Sequence, residues 1–108
     1  MNLPTEIFGA VAVVHAPEEL GTDQVGPFDS FLGNLSQSEI VLDLDGNELL
    51  DSAGLTALVE LQDRLRIAQG DLKIATTNPI NRKILELTRL DEQLEVFDSV
   101  VDAVKSFR

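Results

Sequence analysis

The sequence has 108 residues, enough for one domain with one hydrophobic core. Hydrophobic residues make up 44%, charged residues 25%, and cysteine is absent, which excludes disulfides, thiol catalysis and thiolate metal sites. The net charge is -11, and no Lys or Arg precedes Arg64. This acidity argues against nucleic acid and anionic membranes as partners, because both require clustered basic residues. It suits a basic protein partner, or simply keeps the protein soluble.

Membrane and export signals are not expected in this sequence. No apolar run approaches the roughly 20 residues that a membrane span requires. The first residues, MNLPTEIFG, lack the basic and long apolar regions of a signal peptide. We therefore expect a cytoplasmic location and no membrane insertion.

The first half of the chain predicts two strands, a helix and a further strand. The apolar, Val-rich segment 6–16 predicts one or two strands, the second at about 10–15, and 17–23 reads as a loop. Apolar residues spaced by three and four predict a helix at about 25–35, with Pro27 in its first turn. The segment EIVLDL, 39–44, predicts a buried parallel strand.

The second half predicts three helices and two strands. The helix at about 53–69 should expose Gln62 and end at Gly70 as its C′ residue; a strand follows at 71–76. Asn78 followed by Pro79 predicts the start of the next helix. We expect that helix to bury Ile80, Ile84, Leu85 and Leu87. A short strand at 94–97 precedes a last helix capped by Ser99, with Val100, Val101, Val104 and Phe107 inward.

The order β-β-α-β-α-β-α-β-α predicts an α/β fold, with a mixed, largely parallel sheet and helices packed on it, in a single domain at 1–108. In such a sheet the turns that lead from strand to helix share one edge, where sites usually form. The segments PEELGTDQ, GNELLDSAG and TTNPIN should all lie at that edge.

The segment NELLDSAGL, Asn47–Leu55, leads into the helix through Ser52 and raises the question of what that serine does. Ser52 or Asp51 can cap the helix, because either side chain can accept a free N–H of the first turn. Nucleophilic catalysis would need a base, and the single histidine, His15, reads as an ordinary strand residue. The segment also lacks the Gly-x-Ser-x-Gly pattern of a nucleophile elbow.

Three further roles for this turn involve phosphate or metal. A nucleotide cradle is disfavoured because no Gly-rich loop with Lys is present. Asp43, Asp45 and Asp51 could cluster around a hard cation, although solvated acids at strand ends are far commoner. Ser52 could instead accept a phosphoryl group, which the helix N-terminus would stabilise and the neighbouring Asp51 would oppose.

The Asp-Ser-small-Gly-Leu turn followed by an amphipathic helix resembles the signature of the STAS domain. The downstream run ILELTRLDEQLEVFDSVVDAV also resembles that family; the similarity is good over about 39–107 and only in outline over 6–38. The resemblance implies a sheet with helices on one side and no catalysis; we also expect no cofactor and no metal. It also implies an anti-sigma factor antagonist that binds an anti-sigma factor, itself a serine protein kinase.

In this resemblance the kinase phosphorylates Ser52 and thereby releases the antagonist, and a phosphatase resets it. The implied partner-binding residues lie in the loop before the first helix and at the start of the second: Glu19, Leu20, Gly21, Thr22, Asp23, Asp51, Ala53, Gly54, Leu55 and Thr56. Two alternatives remain at this point. One is a constitutive STAS scaffold or subunit of a stress-signalling or lipid-transport complex, with Ser52 only a cap; the least favoured is an enzyme that uses Ser52.

Overall fold

A computed structural model describes residues 1–107, and the predicted α/β class is confirmed. Its elements in chain order are β1 (Thr5–Phe8), β2 (Val11–His15), β3 (Glu19–Leu20), α1 (Val25–Gly33), β4 (Glu39–Asp43), β5 (Leu49–Leu50), α2 (Ser52–Ile67), β6 (Asp71–Ala75), α3 (Pro79–Leu87), β7 (Glu95–Phe97) and α4 (Val100–Lys105). A 3-10 turn, Leu90–Glu92, separates α3 from β7. Each predicted helix and long strand is present, with ends within a few residues of those expected.

The main sheet has the strand order β1-β2-β4-β6-β7, in which β1 is antiparallel to β2 and the other neighbours are parallel. The three central strands end level with one another, since His15 lies opposite Asp43 and Asp43 lies opposite Ala75. A second, two-stranded parallel sheet joins β3 to β5. The sequence reading of 17–23 as a plain loop is therefore wrong at Glu19–Leu20.

Both faces of the main sheet are covered by helices. On one face, strand residues such as Leu42 and Ile74 pack with Phe28 of α1, Leu58 of α2 and Leu85 of α3. On the other face, the alternate strand residues Val11, Val13, Val41 and Ala75 pack with Ala103 of α4. The expectation of helices on one side only is wrong, because the central strands are apolar on both faces and each face needs a cover.

Lys73 shows how α4 is fixed to its face of the sheet. The side chain of Lys73 is only 6% exposed and points into the α4 layer. Its Nζ donates to the backbone oxygen of Ser106 at 3.2 Å and to Ser106 Oγ at 2.7 Å, and lies 4.2 Å from the centre of the Phe107 ring. A cation at a helix C-terminus is favourable, so this buried charge is compensated by the end of α4.

Two helices expose apolar residues that were predicted to be buried. In α3, Leu85 is buried as predicted, but Ile80 and Leu87 are 69% and 73% exposed. The buried position next to Ile80 belongs to Asn81, whose amide hydrogen-bonds in the interior. In α4, Val100, Val104 and Phe107 pack against the core as predicted, and only Val101 is exposed against expectation. Apolar spacing therefore placed the inner face of α4 correctly and that of α3 only in part.

The predicted polar position Gln62 and the predicted helix end at Gly70 also differ in detail. Gln62 is buried because its amide pairs with both backbone groups of Leu72, with Leu72 N–H donating to Oε1 at 2.8 Å. The C′ residue with positive φ is Gln69, not Gly70. Gly70 serves close packing instead, since a Cβ there would lie 2.0 Å from the Ser38 carbonyl oxygen.

Candidate functional site

The two-stranded sheet of β3 and β5, called the small sheet below, brings together the two segments that were predicted to bind a partner. Glu19 pairs with Leu49 and Leu20 with Leu50, and the N–H of Glu48 donates to Glu18 O at 2.7 Å. The loop after β3 therefore lies beside the turn that starts α2. Of the predicted partner-binding residues, the exposed ones are Glu19, Thr22, Asp23 and Thr56, the buried ones Leu20, Gly21 and Gly54, and the half-buried ones Asp51, Ala53 and Leu55.

Asp51, rather than Ser52, is the N-cap of α2. Asp51 has extended backbone angles, φ -96 and ψ -175, and its Oδ1 accepts the N–H of Gly54 at 3.0 Å. Its carbonyl accepts the first helical hydrogen bond, from Leu55 N–H at 3.0 Å. Ser52 is the first helical residue and is exposed. The cap interpretation is confirmed for Asp51 and wrong for Ser52, whose hydroxyl is left free of that structural role.

This assignment predicts that loss of the side chain destabilises the protein at Asp51 but hardly at Ser52. We expect Asp51→Ala to lower the free energy of unfolding by about 1 kcal/mol, because Gly54 N–H loses its acceptor. Ser52→Ala should change it by less than about 0.5 kcal/mol, as is usual for an exposed position. Urea unfolding of the two variants measures both effects. A larger loss in Ser52→Ala than in Asp51→Ala would contradict the assignment.

Two glycines allow the segments to approach so closely. A Cβ on Gly54 would lie 2.2 Å from Leu20 O, and a Cβ on Gly21 would lie 2.8 Å from Asp51 Oδ2. The first contact is with backbone, which cannot move aside without opening the small sheet. Gly54 thus lets the first turn of α2 rest directly on β3, and Gly21 makes room for the capping carboxylate.

Grooves lie on both sides of the N-terminal half of α2. The groove toward α1 has the acidic residues Asp29 and Glu60 among its lining, with small or apolar neighbours: Val25, Gly26, Ala53, Thr56 and Ala57. The groove toward α3 is mainly apolar and includes Ser52 itself, together with Leu55, Thr56, Val59, Glu60, Thr88 and Leu90. Sequence reasoning missed Thr88 and Leu90, because they enter the site only through the fold of the α3–β7 connection.

The surface beside these grooves carries a concentrated negative charge. The pKa of the Glu48 carboxyl is raised, first because it hydrogen-bonds with the Glu18 carboxyl and then because both Glu18 and Glu19 carry negative charge nearby. A raised carboxyl pKa means that adding one more negative charge at this point is unfavourable. Asp23 and Asp51 lie in the adjoining turns, so the negative charge extends to the start of α2.

The residues considered for metal binding are not brought together. In the described residues, no group of three or more His, Asp or Glu has the arrangement of a metal site. Asp43 hydrogen-bonds with His15, Asp45 accepts the N–H of Thr77 at 2.6 Å, and Asp51 caps α2. Each carboxylate thus has its own structural partner.

His15, the residue considered as a base for Ser52, is held between two carboxylates. Its Nε2 lies 2.9 Å from Glu6 Oε1 and its Nδ1 lies 2.8 Å from Asp43 Oδ2, so it links β1, β2 and β4. Ionised carboxylates only accept hydrogen bonds, so this arrangement requires both ring nitrogens to donate. The pKa of His15 is accordingly raised above 6.5, with the hydrogen bond to Glu6 as the largest cause.

A raised histidine pKa gives a definite pH dependence. The protonated His15 stabilises the folded state fully below its unfolded pKa near 6.5, and this contribution is lost as the pH rises through the folded pKa. We expect the stability difference between wild type and His15→Gln to shrink between about pH 6 and about pH 9. Urea unfolding at both pH values tests this. Because the groups are partly exposed, 0.5 M salt should weaken the effect; a pH-independent difference would contradict it.

Comparison with known proteins gives a consistent family. The family model of the STAS domain matches residues 2–103. A Thermotoga maritima protein named "Putative anti-sigma factor antagonist" is 28% identical over 81 residues, which are 75% of this chain and 71% of that protein. The crystal structure of an anti-sigma factor antagonist from Mycobacterium paratuberculosis has a TM-score of 0.86 at 24% identity, covering 97% of this chain and 92% of that one.

The Bacillus protein SpoIIAA, an anti-sigma factor antagonist, is similar in both of its solved states. Its unphosphorylated form has a TM-score of 0.80 at 15% identity, covering 99% of this chain and 96% of that one. Its phosphorylated form has a TM-score of 0.70 at 17% identity, covering 99% and 100%. At these identities the structural similarity shows a shared fold. Within residues 1–107, every helix is too short or too polar to cross a membrane.

Proposed function

Since this chain belongs to the STAS domain family, we propose that it acts as an anti-sigma factor antagonist whose binding is switched off by phosphorylation of Ser52. In this proposal the unphosphorylated protein binds an anti-sigma factor that is also a serine protein kinase. That kinase phosphorylates Ser52, and a phosphatase removes the phosphate. The relatives from Thermotoga and Mycobacterium, which carry the antagonist name, support this role, as does the existence of a phosphorylated form of SpoIIAA.

The observation that carries the proposal is the position of Ser52. Its side chain is exposed at the first residue of a 16-residue helix whose cap is supplied by Asp51. The hydroxyl can therefore react without loss of the helix cap. The first N–H groups of a helix have no partner within the helix, and together with the helix dipole they stabilise a phosphate. Phosphorylation should thus leave the fold of α2 intact.

The same phosphate would change the binding surface sharply. It adds a charge of about -1.5 to -2 at the edge of the apolar groove between α2 and α3. The charged residue lining that groove, Glu60, is also negative, and Asp51 is adjacent in sequence. A partner that buries apolar groups in this groove would then have to bury a phosphate whose charge the helix N-terminus compensates only in part, which is strongly unfavourable. Release of the partner follows from this cost.

Charge also favours a basic partner before phosphorylation. The carboxylates around the small sheet and the α1–α2 groove, among them Glu19, Glu48 and Glu60, attract a basic surface and speed its approach. The groove between α2 and α3 is itself lined mainly by apolar side chains, with Glu60 as the charged residue among them. An anti-sigma factor with a basic rim and an apolar centre would match both features.

The test is capture of partners from the native host by tagged wild type and Ser52→Ala, with mass spectrometry of the partners and of residue 52. We expect both forms to retain an anti-sigma kinase, and ATP to release it from wild type but not from Ser52→Ala, with phosphate found on Ser52. Capture of a scaffold or transport complex that ATP leaves unchanged, with no phosphate on Ser52, would instead support a constitutive subunit. That result would overturn the proposal.

A further inference from the structure

Asn47 is a buried amide at the base of the candidate site. It is 1% exposed and lies in the turn between β4 and β5. Its Nδ2 donates to Pro17 O at 2.9 Å and to Leu49 O at 3.1 Å. An amide nitrogen has two hydrogens, so both are used, and they are used on carbonyls of two different segments. Only the nitrogen can donate to these carbonyls, which fixes the orientation of the amide.

The two segments that Asn47 joins are those that form the small sheet. Pro17 precedes β3, and Leu49 is the first residue of β5. Each strand has only two residues, and so short a parallel pair has little stability by itself. The two hydrogen bonds from Asn47 therefore tie the segment before β3 to the first residue of β5. At the other end, Gly54 allows α2 to rest on β3.

Helix α3 holds Asn47 from the opposite side. Asn81, which is 2% exposed, places its Nδ2 3.3 Å from both Asn47 Oδ1 and Asn47 O. Asn78, the cap of α3, places its own Nδ2 3.5 Å from Asn47 O. The interior position of Asn81, which the apolar spacing did not predict, is explained by this contact. Residues 78–81 thus hold Asn47 in place, and Asn47 in turn holds the two segments of the small sheet together.

We propose that Asn47 is a positioning residue for partner recognition, which holds the loop Glu19–Asp23 in register with the turn Asp51–Thr56 and ties both to α3. The proposal rests on the function proposed above, because only a partner that contacts both segments requires a fixed arrangement between them. Asn47 is buried and does not touch the partner itself. Without it, β3 can separate from β5, and the loop then moves relative to Ser52.

The first test measures the arrangement without any partner, by backbone hydrogen exchange in wild type, Asn47→Ala and a control variant, Gln62→Ala. Gln62 is also a buried amide that bonds backbone groups, but it lies roughly 15 Å along α2 from Ser52. In Asn47→Ala, we expect the amides of Glu48 and Leu49, which donate to Glu18 O, to exchange at least about tenfold faster relative to the amide of Ile74 in β6.

The control variant and a milder variant make this result specific. In Gln62→Ala, the amide of Leu72 should exchange faster, while Glu48 and Leu49 should follow the global stability only. Asn81→Ala leaves both donors of Asn47 in place, so it should accelerate Glu48 and Leu49 less than Asn47→Ala does. If exchange at Glu48 and Leu49 changed by the same factor as at Ile74 in both Asn variants, the positioning role would be overturned.

The second test uses the anti-sigma kinase captured from the host as the probe, at a temperature where every variant is folded. We expect Asn47→Ala to weaken binding at least about tenfold and to raise the KM for Ser52 phosphorylation with little change in kcat, because the turn that carries Ser52 remains present. Gln62→Ala should change neither. If the Glu48 and Leu49 amides exchanged faster in Asn47→Ala while its affinity for the kinase stayed unchanged, the role of Asn47 in partner recognition would be overturned. Absence of any kinase bound to wild type would instead refute the proposed function, and the exchange result would still decide whether Asn47 holds the segments.

Discussion

Replacing Gly54 with alanine is expected to lower the free energy of unfolding by about 3 kcal/mol, at the upper end of what overpacking costs. The new Cβ would lie 2.2 Å from Leu20 O and 3.1 Å from Leu50 Cδ1. Because Leu20 O belongs to the backbone of β3, the contact is relieved only if α2 moves away from the small sheet. At roughly 5 °C per kcal/mol, the melting temperature should fall by about 15 °C.

Gly26→Ala is the matched control for this substitution. Gly26 also lies near the N-terminus of a helix, but a Cβ there meets nothing within 4 Å. Alanine is favoured over glycine in helices, so this variant should be unchanged or stabilised by up to about 1 kcal/mol. Urea unfolding of both variants gives the comparison. If the free energy of unfolding of Gly54→Ala were within about 1 kcal/mol of the wild-type value, the stability of the protein would not depend on the close contact between α2 and β3.

The long elements could be predicted from sequence because their signals are local. The spacing of apolar residues along α2 and the pair Asn78-Pro79 at the start of α3 act within a few residues, and both predictions are confirmed. The short strands β3 and β5 could not be predicted, since two residues carry no periodicity. They form because Gly54 admits the helix and Asn47 bonds both segments, which are contacts between distant parts of the chain.

The buried faces of the helices show the same limit. Spacing identifies Leu85 correctly but assigns Ile80 to the interior, where Asn81 is found. An asparagine or glutamine is buried when its amide finds backbone partners, as Asn81 and Gln62 do. Those partners lie on other elements, so no local pattern distinguishes these residues from exposed polar ones. Sequence reasoning placed Gln62 on the wrong side of α2 for this reason.

At the candidate site, the sequence predicted the turn that leads into α2 but not which of its residues caps the helix. Asp51 and Ser52 are both good N-cap residues, and a helix start shifted by one residue would exchange their roles. The extended backbone of Asp51 and its bond to Gly54 N–H decide between them. The consequence is functional, because a serine that does not cap the helix can be modified without loss of the helix.

Substituting glutamate for Ser52 is expected to abolish most of the binding to the anti-sigma kinase while preserving the fold. A carboxylate in the first turn is favourable to a helix by about 0.3–1 kcal/mol, and the neighbouring Asp51 offsets part of that gain. The melting temperature should therefore remain within about 3 °C of wild type. Binding should weaken at least about 100-fold, or roughly 2.7 kcal/mol, because the complex would bury the new charge in the apolar groove between α2 and α3.

Two controls accompany this variant. One distinguishes the effect of charge from the effect of side-chain size, and the other distinguishes the effect of position 52 from that of the net charge of the protein. Ser52→Gln has nearly the same size as the glutamate variant without its charge, so it should retain most of the affinity if charge is the switch. Ser36→Glu adds the same charge at an exposed position in the α1–β4 connection, at the opposite edge of the sheet, and should bind almost as wild type does. Calorimetric titration of the three variants at two salt concentrations measures these differences. Equal losses in Ser52→Glu and Ser52→Gln would mean that the partner excludes bulk at Ser52, and a phosphate would then release it through size rather than charge.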